Sequence, residues 1–243
     1  MRMFKKTLLS TAVAGSLIAG SMVAAPAMAG VSMNVGATSN YMWRGLEQSE
    51  GDAAVSGGLD YAHDSGFYAG TWTSSIGGES QYEIDFYAGF GGEFAEDFAY
   101  DVGYIYYAYP IGEDELDFGE IYGSLGWKAL TLFAAVQTNQ ESDGKTDGTG
   151  YFPAGTDVEN DAYYVSLDYL FEYGEGFSSD FLVGYYAGDA IKEGNEGDAY
   201  LHYYADVTKS TDYGDLTLSL SIADLNDDPA SDPRVYVTWA KEF

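Results

Sequence analysis

Gln81-Tyr82-Glu83-Ile84-Asp85-Phe86-Tyr87-Ala88-Gly89-Phe90 sorts its side chains into two sets with a period of two. Tyr82, Ile84, Phe86, Ala88 and Phe90 fall on one face, while Glu83, Asp85, Tyr87 and Gly89 fall on the other, with Glu93 continuing the second set. A helix would mix the two sets, so the stretch reads as a strand with one apolar and one acidic face. The split returns in Leu216, Leu218, Leu220 and Ile222 against Thr217, Ser219 and Ser221, and in Tyr163, Val165, Leu167, Tyr169 and Phe171 against Ser166, Asp168 and Glu172. Each window runs about ten residues, the length of a tilted strand that crosses a bilayer.

Working outward from these windows, about twelve strands can be counted. They open near Ser32, Ala53, Gly66, Gln81, Phe98, Phe118, Ala129, Ala162, Ser179, Ala199, Gly214 and Arg234. Gaining or losing one hairpin would make the count ten or fourteen, and the third strand shows no clear inward face. The connections alternate in length. Longer ones fall at 47–52, 113–117, 140–161, 190–198 and 224–233, and tight ones at 64–65, 95–97, 128, 174–176 and 211–213. Long loops on one side, short turns and both termini on the other, and an even strand count describe an antiparallel up-and-down transmembrane β-barrel. A secreted β-sandwich would share the periodicity, with its apolar face turned to a core. The ends of the chain favour the barrel.

Arg2, Lys5 and Lys6 precede an apolar run from Leu8 to Ala25 and the tripeptide Ala27-Met28-Ala29. This is the pattern of a signal peptide cut after Ala29, leaving residues 30–243 as the barrel. An anchor helix is the alternative reading, but Ser10, Gly15, Ser16, Gly20 and Ser21 interrupt the run. The other end, Val235 to Phe243, alternates with period two and stops on an aromatic, which resembles the signal that outer-membrane proteins present to the barrel assembly machinery. Lys241 departs from the apolar residue expected two before the end, but a Lys near an interface can carry its charge into water. The expected location is therefore the outer membrane of a Gram-negative bacterium, with periplasmic termini and with lipid and lipopolysaccharide as surroundings. An oligomer such as a trimer is compatible with this reading.

Of 243 residues, 39 are acidic and ten basic. Without the three basic residues of the leader, seven face 39, so nucleic acid and anionic surfaces are poor partners. Cysteine is absent, and zinc would depend on His63 and His202, so no metal or cofactor site is assigned. Tyrosine supplies 23 residues and glycine 31. Tyrosine suits the two bilayer interfaces, and glycine relieves crowding where curved strands close on themselves. After the leader no apolar stretch approaches the length of a spanning helix.

The most specific segment runs from Ser39-Asn40-Tyr41-Met42-Trp43-Arg44-Gly45-Leu46-Glu47-Gln48-Ser49 through Ala54 to Gly70. It resembles the opening of the TorF-type porins of Gram-negative bacteria. The likeness continues through Tyr82 to Gly89, Gly103 to Pro110 and Glu120-Ile121-Tyr122, and returns at Lys241 and Phe243. It implies a barrel and a channel, and carries over neither a solute nor a catalytic residue.

With the apolar faces turned to lipid, Asp60, Glu83, Asp85, Asp101, Glu120, Asp168 and Asp206 point into the lumen, with Arg44 and His202 as the basic candidates. Rings of carboxylates favour cations in a pore. In the alternative, a filled lumen pairs these acids with tyrosine hydroxyls or the rare Arg. Arg44, where the first strand meets its outer loop, is expected either to reach into the mouth and pair with lumen acids such as Asp60 or Glu83, as a constriction or gate element, or to anchor on lipid phosphate.

The loop Asp143 to Gly148 resembles a calcium loop faintly, but Lys145 and Ala154 stand at ligand positions. The run Asp224, Asn226, Asp227, Asp228, Asp232 suggests at most weak surface binding of divalent ions. Neither His lies beside a Ser in a nucleophile setting, so no enzyme is expected. The sequence points to passive diffusion of small hydrophilic solutes, leaning to cations, with the long fourth outer loop folded over the mouth. The other reading is a closed barrel acting through its outer loops.

Overall fold

The computed structural model describes residues 30–111, 117–140, 162–188, 191, 199–225 and 231–243. The leader at 1–29, the calcium-like loop, the fourth outer loop and Asn226 to Asp228 lie outside the described residues.

Among the described residues fourteen strands run in chain order. They are β1 (Gly30–Thr38), β2 (Met42–Trp43), β3 (Leu46–Glu47), β4 (Ala54–Ala62), β5 (Phe67–Ser75), β6 (Tyr82–Ala95), β7 (Phe98–Ala108), β8 (Phe118–Trp127), β9 (Leu130–Gln140), β10 (Tyr163–Gly174), β11 (Phe177–Ala187), β12 (Ala199–Thr211), β13 (Gly214–Ala223) and β14 (Arg234–Glu242). Twelve of them, β1 and β4 to β14, form one closed antiparallel barrel. Each pairs with its sequence neighbours, and β1 closes the ring between β4 and β14. Phe243 extends this seam by exchanging backbone hydrogen bonds with Met33 in both directions. Every expected strand opening lies within two residues of an observed one.

The period-two pattern sets which side chains meet solvent and which meet each other. Phe86, Phe90, Leu132, Leu167, Val183, Leu216, Leu218 and Val237 are exposed on the outside, while Glu83, Asp85, Ser166, Ser219 and Ser221 are buried on the inside. This is the reverse of a soluble sandwich, so the exterior is stable against hydrocarbon and the backbone ladder, having no edge, leaves no barrel strand unpaired. At the short-turn rim, Phe98 stacks on Trp127, and the lysine ammoniums of Lys128, Lys209 and Lys241 lie over Trp127, Phe177 and Phe243 at 5.1, 4.1 and 5.7 Å. Amphipathic side chains at that depth mark an interface belt. The third barrel strand, β5, does have an inward face, carried by Trp72 and Ser74.

Inside, small residues make room for aromatic ones. Gly70, Gly89 and Gly103 face the lumen beside Tyr87, Tyr68 and Tyr122 on adjacent strands. A Cβ at Gly70 would lie 2.6 Å from the Tyr87 ring, and one at Gly89 would lie 2.5 Å from Tyr68 Cζ. The rings therefore lie flat across the glycine backbone and project little into the lumen.

The departure from the sequence reading is β2 and β3. The first connection, 39–53, is an outer loop by position, but its centre folds as a two-strand hairpin, with Met42 opposite Glu47 and Trp43 opposite Leu46. Arg44 and Gly45 form its two-residue tip with φ of 48° and 88°. Positive φ at both tip positions is the geometry of the tight hairpin turn that matches strand twist. Glycine takes it freely, whereas Arg44 adopts it at some cost.

Candidate functional site: the lumen and its inserted hairpin

The hairpin lies inside the barrel. Tyr41 packs edge-on against Trp72 of β5 at 5.6 Å and donates a 2.9 Å hydrogen bond to Glu83 of β6. Met42 is buried in a cluster with Leu182 of β11, Tyr204 of β12 and Tyr236 of β14. Trp43 meets Tyr107 of β7, Phe118 of β8 and Tyr186 of β11 at 5.8–6.2 Å, all edge-to-face. Gly45 abuts β12, where an added Cβ would lie 2.7 Å from His202 Cβ. One short segment thus touches strands all round the wall.

At its tip, Arg44 donates through Nη1 and Nη2 to the two oxygens of Glu120, both at 2.7 Å. Its guanidinium lies 4.3 Å from the Trp43 ring centroid, 4.4 Å from Tyr164 and 4.8 Å from Tyr186. Tyr200 donates to the Arg44 carbonyl at 3.0 Å, and Tyr107 donates to Glu120 Oε2 at 3.3 Å. Arg44 is 3% exposed, Glu120 2%, and Tyr164 and Tyr186 1% each, so the ion pair and the rings that flank it are out of water. Burial works against the Arg44 charge, but the Glu120 carboxylate more than offsets it and holds the guanidinium protonated. Of the two positions expected for Arg44, the structure has the inward one: the hairpin carries it to a lumen acid, Glu120 rather than Asp60 or Glu83, and away from lipid phosphate.

The hairpin base is tied as well. Glu47 Oε1 accepts from Arg234 Nε and from Asn40 Nδ2, both at 2.7 Å, and Ser49 Oγ accepts from the Tyr41 amide at 2.9 Å. The Glu47–Arg234 pair is about a quarter exposed, at 26% for each side chain.

The predicted lumen acids all stand on inward faces, in two tiers. The tier toward the long loops holds Glu83, Asp85 and Glu120. Glu83 accepts from Tyr41 and, at 2.6 Å, from Tyr109. Both phenols lie off the barrel strands, and burial, then Glu83, raises their pKa, so they stay neutral donors. Asp85 is fully buried, and neither oxygen has a hydrogen-bond partner among the described residues.

The tier toward the short turns holds Asp60, Asp101, Asp168 and Asp206. Asp60 accepts from Tyr87 and, at 3.2 Å, from Asn34, and Asp101 accepts from Tyr68 at 2.7 Å. Asp168 accepts from Ser166 at 3.2 Å and Asp206 from Tyr204 at 2.8 Å. His202 sits between the tiers, stacked on Tyr164 at 5.5 Å, with Nε2 2.8 Å from the tyrosine oxygen. Among the described residues no cluster of three or more His, Asp or Glu is placed to hold a metal ion.

Several members of the site were not singled out in the sequence. Asp180 belongs to the lower tier and donates its amide to Asp206 Oδ1 at 2.9 Å. Its neighbours Ser178 and Ser179 are also polar, so the alternation there gives no phase. Trp43, Tyr164 and Tyr186 close around Arg44 from three chain regions. A signal for the hairpin existed, since Trp43-Arg44-Gly45-Leu46 has an X-Gly pair between apolar residues inside an otherwise acidic loop.

The model of the Gcw_chp family, described as a bacterial protein of unknown function, matches residues 23–238, and the chain belongs to that family. No curated protein matches the sequence. Among solved structures, a KdgM porin has a TM-score of 0.52 at 7% identity, covering 87% of this chain and 98% of its own. A NanC porin has a TM-score of 0.54 at 10% identity, covering 88% and 98%. A KdgM porin in complex with disordered oligogalacturonate has a TM-score of 0.51 at 6% identity, covering 88% and 97%. At such identities the likeness is one of fold, a porin-like barrel, and the TorF label does not come with the family or with these structures.

Proposed function

We propose that this Gcw_chp member is an outer-membrane, porin-like channel for small hydrophilic solutes that prefers cations, with the inserted hairpin as its closure. The observation that carries the reading is the charge of the lumen. Among the described residues, the seven predicted inward acids and Asp180 share the lumen with one guanidinium at the level of Glu120, Arg44. Arg234 sits higher, at the mouth, and is paired with Glu47.

A lumen of this sign attracts and concentrates cations and repels anions. The oligogalacturonate found with one KdgM porin is an anionic sugar and would meet these carboxylates, so acidic oligosaccharides are poor solutes here. The reading includes a cleaved leader at 1–29, termini in the periplasm, insertion through the C-terminal strand ending in Phe243, and lipid and lipopolysaccharide around the belt. The burial around Arg44 also favours a second reading, a permanently closed barrel that acts through its outer loops.

Planar-bilayer recording of the refolded protein separates the two. Stepwise conductance whose reversal potential in a potassium chloride gradient shifts toward the potassium value supports the channel. Silence at every salt concentration, in wild type and in hairpin variants, supports the closed barrel.

A further inference from the structure

We propose that the seat of Arg44 is a binding site for guanidinium-type organic cations, which the hairpin's own side chain occupies in the closed state. The recognising groups belong to the barrel wall. Glu120 on β8 offers both oxygens to a planar fork, and Tyr164 on β10 and Tyr186 on β11 present rings 4.4 and 4.8 Å from the cation. Tyr107 on β7 steadies Glu120 from behind. A carboxylate meeting two parallel N–H donors selects guanidinium by shape, and aromatic faces favour a weakly hydrated flat cation over a strongly hydrated sodium ion.

What the hairpin adds is the occupant and one further ring, Trp43. The occupant is read at its two terminal nitrogens, since Arg44 Nε has no hydrogen-bond partner among the described residues. A free solute with a terminal guanidinium would therefore meet the seat through the same two nitrogens.

The tether also carries a backbone cost that a free solute does not, because Arg44 holds φ at 48°. Within the channel reading, on which this rests, the permeating class is guanidinium-bearing solutes, and they open the path by displacing Arg44. A tethered group competes at an effective concentration on the order of millimolar, so free solute should act in that range.

The probe is methylguanidinium chloride, with sodium chloride at equal ionic strength as reference. The chain has no cysteine, so Met42→Cys supplies a single thiol on the hairpin. Its maleimide labelling should speed up about threefold or more at tens of millimolar methylguanidinium and stay unchanged with sodium. Because Met42→Cys could disturb folding, a second measurement uses Arg44→Ala. Methylguanidinium should raise its melting temperature saturably, and adding Glu120→Gln should abolish the rise.

Equal effects of both salts on labelling, with no saturable shift in Arg44→Ala, overturn the proposal. So does a shift that survives Glu120→Gln. Conductance in bilayers together with these negatives sinks the site alone, whereas positives in a silent protein keep the site and sink the channel.

Discussion

Replacing Glu120 by Gln keeps the size of the side chain and removes the charge that Arg44 was buried to meet. In wild type two charge-assisted hydrogen bonds of 2.7 Å join the pair, and both side chains are out of water. Removing one partner of such a buried pair costs about 3–5 kcal/mol, mostly because the other charge is left stranded. Arg44 rides on a hairpin that is no part of the twelve-strand ladder, so in the channel reading its tip can leave the lumen while the ladder stays paired. The cost should therefore appear as a shift from closed to open hairpin while the barrel remains folded.

At about 1.36 kcal/mol per factor of ten, the closed-to-open ratio falls by roughly a hundred- to a few thousandfold. Single-channel recording reads this as open occupancy. Glu120→Asp, which keeps the charge but shortens the reach, should fall between wild type and Glu120→Gln. An open occupancy of Glu120→Gln within about threefold of wild type, with the protein folded, would show that the ion pair does not hold the hairpin.

Gly45→Ala should also favour the open hairpin, because the tip needs φ of 88° and the new Cβ would sit 2.7 Å from His202 Cβ; faster labelling of the hairpin is the measurement. Gly184→Ala would force a methyl into the ring of His202 and to 2.5 Å from Tyr164 Oη, costing about 1–3 kcal/mol of barrel stability, read by urea unfolding in vesicles. Leu218→Arg places a charge in the middle of the exposed face of β13 and should cost about 2–4 kcal/mol in lipid; an unchanged unfolding midpoint would remove hydrocarbon from the exterior. Glu83→Gln with Asp85→Asn should move the reversal potential toward zero, and no movement would mean that the outer tier does not set selectivity.

The barrel was legible in the sequence because its signal is local. Alternation in Tyr82–Phe90 or Leu216–Ile222 is decided within each strand, and closure follows when every strand pairs with the next. The inward side of Asp85 and the outward side of Leu218 follow from the same period of two. The hairpin was not legible in this way. Arg44 finds its carboxylate 76 residues along and its carbonyl donor 156 residues along, and both contacts exist only once the ring has closed. The tyrosine partners of the acids depend equally on strand register. Tyr68 on β5 reaches Asp101 on β7 across β6 because Gly89 and Gly103 leave the ring room. Composition signalled many tyrosines and glycines but not which would meet.

The free energy of closure is divided unequally between the two ends of the hairpin. The Glu47–Arg234 pair at the base is about a quarter exposed, and pairs in that setting contribute about 0.2–1 kcal/mol and weaken with salt. The Arg44–Glu120 pair at the tip is dry, flanked by three rings, and almost unscreened. Added salt therefore loosens the base long before it touches the tip. The base can unfasten without opening the lumen, because Met42 and Trp43 remain packed against the wall below it. In the channel reading, opening begins with whatever replaces Arg44 at Glu120, whether solvent or another cation. The acid excess of the lumen works in the same direction, since it raises the local concentration of cations that could do so. In the channel reading the closure is set by the charge it would admit: the acidic lumen that would attract a cation also holds the closing arginine.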